Sequence, residues 1–253
     1  MDVHMQTTFI VLKPLCDKVA LSPSVDHFSD LKAAVDTVPP EGLQKLCEYV
    51  LFPVELHLHN HKNLSKKIII TAVDCMRAIV SRISIKELKN LLKLYSVLFS
   101  LITEFPEPGL RKEVPEELKL AVVQCVSELF LRSERSVLNE FYTREHYPKL
   151  SLGIYTCSQL VKEEKFHTLR ARTLNCMLVL TGNGLEDDVK KSCSNIVMLM
   201  LPGIVSLCLS TAVSNITQNH EVTVMALRLW SHVVTLVMQD DLEVKKTRLK
   251  LCA

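Results

Sequence analysis

The chain has 253 residues, with 30 basic and 28 acidic side chains and a net charge of +2. A balance so near neutral lacks the strongly basic footprint of a nucleic-acid binder, and an apolar content of 48% excludes intrinsic disorder. Six glycines, about 2.4% of the chain against roughly 7% in average proteins, are too few for a Rossmann sheet, a phosphate-cradling loop or a β-sandwich, each of which needs glycine in turns and close backbone approaches.

Apolar residues recur at helical spacing through nearly the whole chain. The pattern predicts helices over 6–20, 25–37, 41–58, 64–83, 85–104, 115–132, 137–162, 166–181, 186–215, 220–239 and 241–251, with the third and seventh interrupted near their prolines. Ser24, Ser84 and Thr217 are placed as N-caps, because a short side-chain oxygen accepts from the free N–H groups of a first turn. Val114-Pro115-Glu116-Glu117 is a further start, with proline and two acids suited to the positive helix end. Breaks fall at Ser22-Pro23, Val38-Pro39-Pro40, Phe105 to Gly109 and Gly182-Asn183-Gly184. All are turn-sized, so a single domain over 1–253 is expected.

A recurrence near 50 residues organises these helices. Cys75, Cys125, Cys176 and Leu229 are separated by 50, 51 and 53 residues. Seven before each stand Ile68, Leu118, Leu169 and Val222; two before, Val73, Val123, Leu174 and Leu227; one after, Met76, Val126, Met177 and Trp230; four after, Ile79, Leu129, Leu180 and Val233. These offsets share one helix face, so all sixteen positions are expected to be buried. Leu51-Phe52-Pro53-Val54, Tyr147-Pro148-Lys149-Leu150 and Leu201-Pro202-Gly203-Ile204 place a proline in the apolar helix ahead of three of the anchors, where it bends or restarts the helix. A bent helix followed by a straight one is the HEAT-type pair. The expected fold is all-α, an irregular HEAT/TPR-like α-solenoid in which antiparallel pairs form a right-handed stack. Exposed apolar surface along Val233 to Leu251 is expected to cause weak self-association.

Nine cysteines occur without any CxxC spacing, so zinc-ribbon and thioredoxin-like sites are not expected. They read as reduced thiols of a cytoplasmic or nuclear protein, packed as small hydrophobes. The start MDVHMQTT lacks the basic region of a secretory signal. From Ser192 to Asn219 no side chain is charged, and Ile196–Val213 reaches the minimum length of a membrane span; interrupted by Pro202-Gly203, it reads instead as a fully buried helix.

No phosphate loop, nucleophile elbow, zinc-protease or dinucleotide motif occurs. His57 and His61 share a helical spacing that can hold a metal, but a third ligand is missing, and the stretch reads as a polar helix end. Glu163-Glu164 and Asp187-Asp188 read as solvated helix termini, and Lys245 to Lys250 as a solvated basic face. No catalytic, cofactor-binding or metal residue is assigned, and no cofactor is expected.

Four stretches carry a resemblance: Val11 to Cys16, LQKLCEYVLFPVEL at 43–56, VPEELKLAVVQC at 114–125 and LPGIVSLC at 201–208. In succession they resemble the N-terminal region of the Tel-two-interacting protein one family, the large scaffold of the Triple T complex. The resemblance implies an α-solenoid without enzyme activity. It also implies assembly with Tel-two and a second Tel-two-interacting protein, and work with Hsp90 and the R2TP machinery to stabilise kinases of the TOR, ATM and ATR types. Partners are therefore expected to be proteins, not nucleic acid or membrane. The turns at Pro106–Lys112 and Gly182–Asp188 are the expected contact elements, being mobile and charged. Family members are several times longer than this chain. A generic helical-repeat adaptor in transport or trafficking is the alternative, and a small membrane protein spanning at 196–213 a remote one.

Overall fold

The computed structural model describes residues 3–103, 114–217 and 219–251, and side chains to residue 238. No strand occurs among the described residues; one isolated parallel bridge joins Ile85 to Ser133. The helices gather in two compact units, Met1–Glu134 and Arg135–Ala253.

Unit 1 holds α1 (Val3–Leu21), α2 (Val25–Thr37), α3 (Pro40–Lys45), α4 (Cys47–His59), α5 (Lys66–Val80), α6 (Leu88–Thr103) and α7 (Glu116–Leu131). The pairs α1/α2, α4/α5 and α6/α7 pack side by side, and the second helices stack in the order α2, α5, α7. The core of this unit is built from Phe28, Leu31, Val73, Met76, Ile79, Val123 and Phe130, all fully buried. Unit 2 holds α8 (Arg135–Phe141), α9 (Tyr147–Glu163), α10 (His167–Leu180), α11 (Asp187–Val197), α12 (Leu201–Asn215) and α13 (His220–Leu251). Here the pairs are α9/α10 and α12/α13, with α13 stacked on α10. The anchors Cys75, Cys125, Cys176 and Leu229 lie on α5, α7, α10 and α13, each the second helix of its pair. The pair α1/α2 has no counterpart in the recurrence, because α2 lies nearer to α5 than the 50-residue spacing allows.

Thirteen of the sixteen recurrent positions are buried; Ile68 is half-buried, and Leu227 and Trp230 are exposed at 43% and 37%. Ile68 sits in the first turn of α5 at its edge. In α13 the buried stripe is Val222, Ala226, Leu229, Val233 and Leu236, which faces α10 and α12 and turns Leu227 and Trp230 away from them.

Pro148 and Pro202 restart helices as expected, whereas Pro53 does not interrupt its own. The predicted third helix breaks at Leu46, whose backbone leaves the helical region (φ −108°, ψ 11°), while Pro53 stays inside α4. The seventh splits into α8 and α9, and the ninth into α11 and α12 around a 3-10 turn at Met198–Met200. Pro148 and Pro202 fall in the first turns of α9 and α12, where the missing N–H costs nothing. The two predicted helices at 220–239 and 241–251 are the single helix α13.

Ser24 caps α2, its hydroxyl accepting from the His27 N–H at 3.1 Å. Ser84 does not cap: α6 starts later, and Ser84 lies in an extended connector. Its N–H donates to Gln44 Oε1 at 2.6 Å and its carbonyl accepts from Gln44 Nε2 at 3.0 Å. Asn219 rather than Thr217 caps α13, with Oδ1 accepting from Val222 N–H at 3.0 Å.

Several helix ends are tied down by side chains from distant parts of the same unit. Arg82 donates to the Val35 and Val38 carbonyls at 2.5 and 2.8 Å at the end of α2. Arg170 donates to the Val161 carbonyl at the end of α9 (2.9 Å) and to Asn215 Oδ1 on α12 (2.8 Å). His57 and His232 reach the Val19 and Thr181 carbonyls, each at 2.8 Å. The last four carbonyls of a helix lack intrahelical partners, and these contacts satisfy some of them.

Burial holds the His232 imidazole below its ordinary pKa, opposed by the bond to Thr181 and reinforced by nearby Lys190. The folded state thus favours the neutral ring, so its contribution is complete above the unfolded pKa of about 6.5 and is lost as pH falls through that value towards the depressed one. The midpoint of thermal unfolding is expected to drop between neutral and mildly acidic pH, and to drop less in His232→Gln, whose amide still donates to Thr181. Equal slopes for the two proteins in calorimetry would contradict this.

Candidate functional site

The histidines at 57–61 serve the local fold. His57 bonds the end of α1, His61 is buried with Nδ1 on the Leu58 carbonyl at 2.9 Å, and His59 is exposed. Among the described residues no group of three or more His, Cys, Asp or Glu side chains is arranged to hold a metal ion. Seven of the eight described cysteines are buried and all are free thiols; Cys252 lies outside the described residues. Desolvation pushes the thiols of Cys16, Cys75 and Cys208 up to about 12. Cys157 is raised by its bond to Cys176 and then by burial. A thiol needs to ionise to act as a nucleophile, and these stay protonated at neutral pH.

What the surface offers is contact area. On α4, Tyr49, Phe52 and Leu56 are exposed at helical spacing, beside a cleft of about 670 Å³ between α4 and the start of α6. Several polar groups of the cleft are already engaged: Glu48 accepts from Asn90 at 3.0 Å, Glu55 pairs with Lys93, and Gln44 holds Ser84. On α9, Leu152 and Tyr155 are exposed, and Phe166 stands out ahead of α10.

The segment free of charge from Ser192 to Asn219 is not the fully buried helix expected. Ile204, Leu207, Cys208, Thr211 and Ala212 of α12 face inward, but Leu209, Val213 and Ile216 are exposed, as are Met198 and Leu199 before it. Asp187–Asn215 and His220–Met238 are long and apolar enough to cross a bilayer by length and composition. Each packs one face on its neighbours and leaves the other open, which periodicity in an all-apolar stretch does not distinguish from complete burial.

The turn at Gly182–Asp188 is pinned. Gly182 and Gly184 take left-handed φ of 94° and 81°. Asp188 pairs with Arg135 and accepts from Asn139 at 3.0 Å; Glu186 also meets Arg135, at 3.3 Å, and Ser192 donates to Asn139 at 2.8 Å. These ties oppose the mobility expected of that turn, although Asn183, Gly184, Glu186 and Asp187 remain exposed. Pro106–Lys112 lies outside the described residues. Arg82, Arg170 and Gln44 were not singled out by sequence; the available signal is an isolated polar side chain amid apolar helix residues.

Paired helices with stacked second helices define an all-α helical-repeat protein of the TPR-like solenoid class. The profile of a family described as the TTI1 N-terminal TPR domain matches residues 9–250, and the chain belongs to that family. It is 25% identical over 244 residues to the human protein named TELO2-interacting protein 1 homolog, and 24% identical over 244 residues to the mouse protein of that name. Each match covers 93% of this chain and 22% of the relative, so the chain spans about a fifth of their length. No solved structure matches it.

Proposed function

We propose that the chain is a non-enzymatic scaffold of the Triple T type, holding other proteins on exposed helix faces. The observation that carries the reading is the family match over residues 9–250, which takes in both helical units. The relatives are named as proteins that interact with TELO2. For this chain the proposed partners are Tel-two and a second Tel-two-interacting protein. Through that assembly it would serve the TOR, ATM and ATR types of kinase together with Hsp90 and the R2TP machinery, in the cytoplasm and the nucleus. Protonated thiols and engaged cleft carboxylates agree with a surface that binds rather than reacts.

Size-exclusion chromatography of the purified chain mixed with purified Tel-two tests the proposal. Co-elution as a defined complex is the expected result. Separate elution at micromolar concentrations overturns it, and the generic helical-repeat adaptor in transport or trafficking then takes its place.

A further inference from the structure

We propose that the cleft between α4 and the start of α6 is a docking groove for an acidic amphipathic helix of a partner protein. Its two walls differ in chemistry. The α4 wall presents Tyr49 and Phe52 at helical spacing, exposed at 37% and 58%. Tyr49 is held in place from α1, with its ring 5.5 Å from Phe9 and its hydroxyl donating to Asp17 at 3.4 Å. The opposite wall presents Lys86, Lys89 and Lys93, all exposed. The buried side chains of Leu46, Leu51, Ile83 and Ile85 complete the lining. Three side-chain ties join the walls: Gln44 to Ser84, Glu48 to Asn90 and Glu55 to Lys93. They follow the same order along both elements, so the walls run parallel and the groove is preformed. Between Glu48 and Glu55 it extends about 10 Å at 1.5 Å per residue, the length of about two helical turns.

Charge selects the occupant. Glu55 is buried and paired with Lys93, and Glu48 is engaged by Asn90. Lys86 meets Glu134 at 3.8 Å with both partners exposed, a pair worth little in water, and Lys89 pairs with no acid among the described residues. Of the lining acids, only Glu87 is left to offset these lysines among the described residues. The open charge of the groove is therefore positive, on the wall that faces two aromatic side chains. A helix with an apolar face and carboxylates along one flank satisfies both walls at once, and its negative charge steers the encounter. A basic helix meets the lysine ridge with like charge, and an uncharged one leaves the ridge without a counterpart.

The test uses a fluorescein-labelled peptide of about twelve residues, with Leu or Phe at i, i+3, i+4 and i+7 and Glu at most other positions. Its fluorescence anisotropy is followed as the full 253-residue chain is added. Saturable binding with a micromolar Kd, weakened by added salt, is the expected result. Phe52→Ala is expected to weaken binding by roughly tenfold and Lys89→Glu several-fold. Phe166→Ala, at an exposed position in unit 2, is expected to change nothing; circular dichroism checks that each variant is folded. Absence of saturable binding overturns the proposal, as does binding that survives either Phe52→Ala or Lys89→Glu. Equal affinity for the same peptide with Lys in place of Glu, or for polyglutamate, which has no apolar anchors, overturns it as well. So does dimerisation of the chain that Phe52→Ala abolishes, since the groove then receives a second copy. The proposal does not rest on the Triple T reading: failure to bind Tel-two leaves the peptide readouts untouched, so the two fall separately.

Discussion

Leu174→Asp is expected to cost more than about 4 kcal/mol of folding stability, lowering the unfolding midpoint by more than about 8 °C. Leu174 is fully buried on α10, which packs against both α9 and α13. Losing the leucine forfeits its transfer free energy and leaves a void, and the carboxylate brings a charge into an apolar interface without a partner. Such a carboxylate is driven towards its protonated form, so the variant should recover part of the loss as pH falls. Lys66→Asp, at an exposed position in the first turn of α5, is the matched control and is expected to stay within about 0.5 kcal/mol. Chemical denaturation of the three proteins decides; a loss below about 1.5 kcal/mol for Leu174→Asp, half the usual range for a core change, would mean that α10 is not the packed centre of its unit.

Gly42→Ala is expected to destabilise unit 1 by about 1–3 kcal/mol, the range for forcing extra volume into a packed interface. Gly42 lies where α3 rests on α1. A Cβ there would stand 2.1 Å from Thr8 Oγ1 and 2.6 Å from the His4 carbonyl oxygen. The threonine side chain can rotate, but the carbonyl belongs to the backbone of α1, so the two helices must separate. Thr8 is fully buried and its hydroxyl has no hydrogen-bond partner among the described residues, so Thr8→Ala alone is expected to cost little. The double variant should recover only part of the Gly42→Ala loss, because His4 remains in the way. Full recovery in a double-mutant cycle would show that the hydroxyl alone sets the helix spacing.

The family was legible in the succession of four short stretches, and the match over 9–250 bears that resemblance out. The candidate binding surface was less so. The turn at Gly182–Asp188 was readable as a turn from its glycines, but its fixation depends on Arg135, 53 residues before Asp188, and nothing local to the turn announces it. The Tyr49, Phe52 and Leu56 stripe lay within the 43–56 stretch quoted for the family resemblance, and its exposure follows from what α4 does not pack against.

Helix content, the spacing of the second helices and the burial of most anchors were determined by the sequence itself. A 3.6-residue periodicity acts within one helix and needs no knowledge of neighbours. The place of a proline was readable too, but not its effect: whether it starts a helix, as Pro148 and Pro202 do, or sits inside one, as Pro53 does, depends on how the adjoining turns pack. Only the tertiary structure decided which apolar faces are covered. Leu227 and Trp230 occupy the register of Leu174 and Met177 and are as apolar, yet one pair is open and the other sealed. Burial is conferred by a second helix arriving from some 50 residues away, and the pattern of one helix carries no record of whether that neighbour is there. The same holds for Arg82, Arg170 and His232, whose partners lie 9 to 51 residues away: a carbonyl left free at a helix end becomes a partner only when folding brings a donor to it.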